Sequence, residues 1–68
     1  MSTLDDRIRI AERHVSEARR LVMNQRERIA NGLSISPVNA RELLVTLEAS
    51  LEILEGQLDR LRRERSGD

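Results

Sequence analysis

The sequence predicts an all-α protein, an antiparallel two-helix hairpin with coiled-coil-like packing. Two observations predict this fold. Apolar residues recur in steps of four and three along two long segments, which is the a/d pattern of a heptad repeat. Between these segments, turn-forming residues accumulate in one short stretch, residues 31–37. Because so short a connection brings consecutive helices side by side in opposite directions, we expect a hairpin.

Helix 1 is predicted over residues 3–31. Ser2 or Thr3 is a suitable N-cap, and Asp5 and Asp6 in the first turn suit the positive end of the helix dipole. The a positions are all β-branched, whereas the d positions are mostly small. The a/d series consists of Leu4, Ile8, Ala11, Val15, Ala18, Val22, Gln25 and Ile29.

The turn is predicted over residues 32–36 and helix 2 over residues 37–65. Gly32 suits the left-handed conformation that ends a helix, with Leu33 as the apolar contact that often follows. Pro37 lies at the first position of helix 2, where Pro is common. Ser36 precedes it as the expected N-cap. The a/d series of helix 2 consists of Ala40, Leu44, Leu47, Leu51, Leu54, Leu58 and Leu61.

In one antiparallel register, the small d residues of helix 1 face Leu residues of helix 2, as close packing requires. This register sets Ile8 against Leu61 and Gln25 against Leu44. The predicted core contains Leu4, Ile8, Val15, Val22, Ile29, Leu44, Leu47, Leu51, Leu54, Leu58 and Leu61.

The same register predicts the charged pairs on the flanks of the seam. Favourable pairs are Arg7 with Glu64, Asp5 with Arg62 and Arg19 with Glu48, and like-charge pairs are Glu12 with Glu55 and Arg26 with Arg41. A second hairpin could relieve both like-charge conflicts by setting the acidic centre of helix 2 against the Arg-rich helix 1.

Composition limits the chain to one small domain, residues 1–68, with a marginal core. The 68 residues include no aromatic residue and no Cys, so the largest apolar side chains, disulfides and Cys-based zinc sites are all missing. A partner chain is the remaining source of stability. The formal net charge is +0, so the chain has no excess positive charge that would favour binding to nucleic acid. Because the apolar runs are short and Asp5 and Asp6 disfavour a signal peptide, we expect a soluble, cytoplasmic protein that does not enter membranes.

Apolar residues left outside the seam follow the c and g positions of both helices. In an antiparallel hairpin these stripes join into one semi-apolar face, which predicts a homodimer that forms a four-helix bundle. The alternatives are ordinary scattered surface residues and a different protein as partner. The predicted dimer interface consists of Ile10, His14, Leu21, Leu43, Ser50 and Ile53.

His14 is the one residue with a natural role in proton transfer near neutral pH, and Glu17 shares its helix face. A weak metal or acid/base site is conceivable there, but a lone His on a partly apolar face is more typical of a polar cover over an interface. Helical di-metal sites need carboxylates in the core, where this chain has Ile, Val, Ala and Leu. We therefore predict no metal, no cofactor, no catalytic residue and no enzyme activity.

All 12 basic residues are Arg, which suits phosphate binding. Acidic residues interleave with them, and no aromatic side chain is present to stack on a base. A solvated, ion-paired face is therefore favoured over a nucleic-acid site. The candidate nucleic-acid contacts on helix 1 are Arg13, Arg19, Arg20, Arg26 and Arg28.

Three segments resemble a group of very short, uncharacterised helical-hairpin proteins of alpha-proteobacteria. The segments are Ala11-Glu12-Arg13-His14-Val15, then Gln25-Arg26-Glu27, then Glu42-Leu43-Leu44 with Leu47-Glu48-Ala49-Ser50-Leu51. The group has Arg-Gln-Arg-Glu where this chain has Asn24-Gln25-Arg26-Glu27. The resemblance implies a bacterial, cytosolic protein and implies no site.

The predicted function is that of a small non-enzymatic protein-interaction or adaptor protein acting through a homodimeric four-helix bundle. The alternative is a small RNA- or DNA-binding regulator that uses the Arg-rich face of helix 1.

Overall fold

A computed structural model of the chain describes residues 3–32 and 36–67 and shows two helices packed as a hairpin. Helix α1 spans Leu4–Ala30 and helix α2 spans Pro37–Ser66. The predicted hairpin is confirmed, and each predicted helix end agrees with the structure within one residue. The hairpin extends 47 × 18 × 17 Å. Most of the predicted turn, residues 33–35 with the expected contact of Leu33, lies outside the described residues.

Local side-chain chemistry fixes both ends of α1. The Thr3 hydroxyl accepts a hydrogen bond from the Asp6 backbone N–H at 3.1 Å, and the Asp6 carboxylate accepts one from the Thr3 N–H at 3.4 Å. This reciprocal capping box satisfies two backbone donors that the first turn leaves free. At the other end Gly32 has φ +66°, and its N–H donates to the Ile29 carbonyl at 3.1 Å. The glycine therefore ends α1 in the left-handed conformation, as predicted.

The start of α2 differs from the prediction in one detail. Ser36 occupies the N-cap position before Pro37, but its side chain accepts no capping hydrogen bond. Both N-cap residues are extended, with ψ of 107° at Ser36 and 167° at Thr3. Gly67, at φ +81°, ends α2 in the left-handed conformation.

The core is a single line of contact between the two helices. The buried apolar residues are Ile8, Val15, Ala18, Val22, Ala40 and Leu58. Of the predicted core residues, Leu4, Leu51, Leu54 and Leu61 pack against the buried cluster of Ile8, Val15 and Leu58. Seven predicted core residues are only half-buried: Leu4, Ile29, Leu44, Leu47, Leu51, Leu54 and Leu61. Two helices alone bury three of the four β-branched seam residues of α1, whereas every seam Leu of α2 except Leu58 stays half-buried.

Gln25 is a polar residue within this seam. Its side chain is 6% exposed, and its Nε2 donates a hydrogen bond of 2.9 Å to the Ala40 carbonyl oxygen. Ala40 lies one turn nearer the loop than Leu44, the residue expected opposite Gln25. A single hydrogen-bonded polar residue at a core position fixes helix register, because a shift of either helix would leave the amide without its partner.

Candidate protein-interaction surface

Three ion pairs between the helices follow one flank of the seam and are spaced one heptad apart. From the termini toward the loop, they join Arg62 to Glu12 at 3.1 Å, Arg19 to Glu55 at 3.0 Å and Arg26 to Glu48 at 2.7 Å. These six residues are the ion-pair flank. Their side chains are 42 to 61% exposed, so each pair contributes only about 0.2–1 kcal/mol. Although the pairs add little stability, their charged side chains cover this flank of the hairpin.

The predicted flank pairings are wrong. Arg19 contacts Glu55 instead of Glu48, and neither predicted like-charge contact forms, because Glu12 and Arg26 each meet an opposite charge. Near the termini, Arg65 approaches Asp5 at 3.9 Å in place of Arg62. The predicted pair of Arg7 with Glu64 forms no ion pair within 4.0 Å. Helical side chains lean toward the N-terminus of their own helix.

Because α1 and α2 run in opposite directions, this lean determines which residues meet across the seam. Glu12 leans toward the α1 N-terminus, where the C-terminal part of α2 lies, and Arg62 leans back toward it. By the predicted register Glu12 and Glu55 are closer in height than Glu12 and Arg62, but the same lean directs the two carboxylates apart. With no like-charge conflict to relieve, the expected role of a second hairpin in neutralising these charges falls away.

The opposite flank carries the predicted dimer residues, and all six are exposed. We call the surface formed by Ile10, His14, Leu21, Leu43, Ser50 and Ile53 the open face. Its large aliphatic side chains are exposed by 48% at Ile10, 53% at Leu21, 48% at Leu43 and 63% at Ile53. By heptad position these residues lie on the g and c side of each helix, whereas the ion pairs lie at e. The two flanks of the hairpin therefore differ sharply in chemistry.

A shallow groove of about 230 Å³ connects the open face to the core. Ile10 and His14 line it together with the seam residues Ala11, Leu54 and Leu61, and Arg7 and Gln57 complete its lining. The small side chain of Ala11 leaves space between the larger Leu residues. The other four residues of the open face do not line this groove.

Three further aliphatic residues are highly exposed and were not predicted to form a surface. Met23 and Val38 are each 66% exposed and Val45 is 65% exposed. All three occupy b positions, on the outer side of the hairpin next to the ion-pair flank. The seven-residue spacing of Val38 and Val45 is the sequence signal that could have identified them.

The five candidate nucleic-acid contacts do not share one surface. Arg19 and Arg26 belong to the ion-pair flank, where Glu55 and Glu48 partly neutralise them. The other three are exposed, with Arg13 and Arg20 at outer f positions and Arg28 on the g side. These five Arg residues thus lie on three sides of α1.

His14 and Glu17 are both exposed and form no hydrogen bond with each other. In the described ranges, 3–32 and 36–67, no group of three or more His, Asp or Glu side chains is arranged to hold a metal ion. Within the same ranges, neither helix has an apolar stretch of the length needed to cross a bilayer. Comparison of the chain with protein-family models, with curated proteins and with solved structures found no match.

Proposed function

We propose that this chain is a small, non-enzymatic protein-interaction or adaptor protein that acts as a homodimer, with two hairpins packed into a four-helix bundle. The observation that supports it is the asymmetry of the hairpin. One flank is covered by three heptad-spaced ion pairs, and the other presents exposed aliphatic residues above half-buried Leu residues. A second copy on the open face would cover the side that the hairpin leaves uncovered.

The incomplete core supports the same proposal. A chain of this size buries too little apolar surface to be stable without disulfides, metals or partners in many cases. Here seven of the predicted core residues stay half-buried in the single hairpin. Each aliphatic side chain that moves from half-exposed to buried contributes about 1 kcal/mol.

The dimensions of the open side suit a stable interface. A side of 47 by 18 Å offers on the order of 800 Å² to a partner. Specific protein complexes typically bury about 800 Å² on each partner. Full-length side-by-side packing of two hairpins therefore has the size of an ordinary stable interface.

Sedimentation equilibrium, with circular dichroism over a wide concentration range, tests the proposal. We expect twice the 7.8 kDa chain mass and a melting temperature that rises with protein concentration. Ile53→Glu and Leu21→Glu place a charge on the open face and should give largely unfolded monomers.

The chain offers a matched control for each variant. Val45→Glu matches Ile53→Glu, because both residues are β-branched, lie on α2 and are exposed by 65% and 63%. Met23→Glu matches Leu21→Glu on α1. Both controls should remain helical dimers. A wild-type chain that is monomeric at every concentration, or an Ile53→Glu chain that still dimerises, would contradict the proposal.

The alternative of an RNA- or DNA-binding regulator gains no specific support. Two of its five Arg residues are engaged by Glu, and Arg28 lies on a different side of α1 from Arg13 and Arg20. A poorly helical monomer in sedimentation would instead favour a different protein as the partner and would count against the homodimer.

A further inference from the structure

We infer that the second copy packs across a two-fold axis perpendicular to the helices, so that α1 lies antiparallel on the α1 of the partner copy. The axis passes between His14 and Glu17. This inference rests on the proposed homodimer and specifies how its two copies are arranged. A closed dimer of identical chains uses the same surface on both copies, so the open face must be complementary to itself.

Two arrangements place the open faces of two hairpins together. In the first, the two-fold axis runs along the hairpin, and α1 of one copy packs on α2 of the other. In the second, the axis runs across the hairpin, so that α1 packs on α1 and α2 packs on α2. In the first arrangement each residue of α1 faces the residue at the same height on α2 of the partner copy, so the register within the hairpin already determines the contacts. In the second arrangement the axis can lie at any height along the hairpin, and the contacts depend on that height.

The groove shows what the first arrangement would bring together. Ile10 and Gln57 line the same groove, and the register that sets Ile8 against Leu61 places Ile10 within two residues of the height of Gln57. An axis along the hairpin would set Ile10 on Gln57 of the partner copy. Leu21 lies eleven residues closer to the loop, and the same distance along α2 leads to Thr46. Each of these aliphatic side chains of α1 would thus pack on a polar residue, with little gain in apolar burial.

The second arrangement matches the α1 part of the face to itself. Ile10, His14, Glu17 and Leu21 follow one another in steps of four, three and four, which is symmetric about a point between His14 and Glu17. Antiparallel packing about this point sets Ile10 on Leu21 of the partner copy, twice. It also sets His14 beside Glu17 of the partner copy, where the imidazole N–H can donate to the carboxylate.

The exposures and the position of Ile53 agree with this axis. Ile10 and Leu21 are exposed by nearly equal fractions, 48% and 53%, so pairing them covers both. His14 shares the groove with Leu54, which places the neighbouring Ile53 close to the height of the axis. Ile53, 63% exposed, then meets Ile53 of the partner copy. Every large aliphatic residue in this part of the open face gains an aliphatic neighbour.

Disulfide cross-linking tests the axis directly, because the chain contains no Cys of its own. A disulfide requires Cα atoms within about 7 Å, so only residues that face each other are linked. Under mild oxidation, Ile53→Cys should link to itself, and a mixture of Ile10→Cys and Leu21→Cys chains should give the mixed covalent dimer. Ile10→Cys alone should not link, since its two copies lie about 16 Å apart along the helix.

Val45→Cys, equally exposed but on the outer side, is the control, and each variant is first checked for wild-type helicity and mass. We expect at least about tenfold more covalent dimer from the facing pairs than from Val45→Cys, since bound copies face each other at millimolar effective concentration. Preferential linking of Ile10→Cys to Gln57→Cys in a dimeric chain would overturn this axis and leave the homodimer standing. A wild-type chain that sediments as a monomer would overturn both.

Discussion

Reversal of one charge on the ion-pair flank should destabilise the protein, and reversal of its partner should restore the stability. In Arg19→Glu the new carboxylate faces Glu55, whose side chain lies 3.0 Å from the guanidinium in the native pair. The two side chains are 61% and 44% exposed, so the native pair contributes about 0.5 kcal/mol after solvent screening. Repulsion between like charges adds a similar cost. We expect Arg19→Glu to lose about 1 kcal/mol, or about 4–8 °C in melting temperature for a chain of this size.

A double-mutant cycle measures this coupling. Urea unfolding at one fixed protein concentration is compared for the wild type, Arg19→Glu, Glu55→Arg and the double variant, which should recover most of the loss. The control cycle combines Arg19→Glu with Glu48→Arg, and no recovery is expected because that variant also sets Arg beside Arg26. In 1 M salt, where charges are screened beyond about 3 Å, the coupling should fall toward zero. Recovery with Glu48→Arg instead of Glu55→Arg would refute the argument that side-chain lean determines these contacts.

Two further predictions concern the backbone and the core. Gly32→Ala should destabilise the hairpin by about 1 kcal/mol, because φ at this position is +66°, even though the added Cβ meets no atom within 4 Å. Gly56→Ala should stabilise the hairpin by about 0.8 kcal/mol, because Gly56 lies inside α2 and its added Cβ also meets no atom within 4 Å. Thermal melts at equal concentration would show shifts of opposite sign, and shifts of the same sign would disprove the assignment. Gln25→Leu should lower the free energy of unfolding by no more than about 1 kcal/mol, because the Ala40 carbonyl keeps its helical hydrogen bond. Gln25→Ala should lower it by about 2 kcal/mol, because this variant also removes buried packing. Urea unfolding of both variants checks this order, and the reverse order would contradict it.

The helix ends could be predicted from the sequence because their causes are local. Thr3 and Asp6 form a capping box within a single turn, and Gly32 adopts the conformation that few other residues tolerate. Pro37 starts α2 because its missing N–H is not needed there. None of these interactions depends on where the other helix lies. The predicted ends therefore agree with the structure within one residue.

Burial and flank contacts could not be predicted in the same way, because they depend on three-dimensional surroundings. The heptad pattern shows which side of α2 faces α1, but it does not show how many helices surround that side. Leu54 and Leu61 accordingly face the seam and still stay half-buried. The pattern also gives the position of each residue along its helix, but it does not give the direction in which the side chain leans. For this reason the heptad pattern predicts that Arg19 pairs with Glu48, whereas in the structure Arg19 contacts Glu55.

The exposed residues Met23, Val38 and Val45 show that exposure alone does not identify an interface. They are at least as exposed as Ile53. Val38 and Val45 line one surface groove together with the polar residues Arg41, Glu42 and Thr46, and Met23 lies beside Arg26 and Glu27. The open face differs because its aliphatic residues adjoin half-buried Leu residues of the core, so covering it also completes the burial of the seam. Isolated surface aliphatics are common in monomeric proteins, whereas an exposed face continuous with an incomplete core loses stability until it is covered. The substitutions Ile53→Glu and Val45→Glu separate these two situations, because both replace a β-branched residue of nearly equal exposure and differ in where the new charge lies.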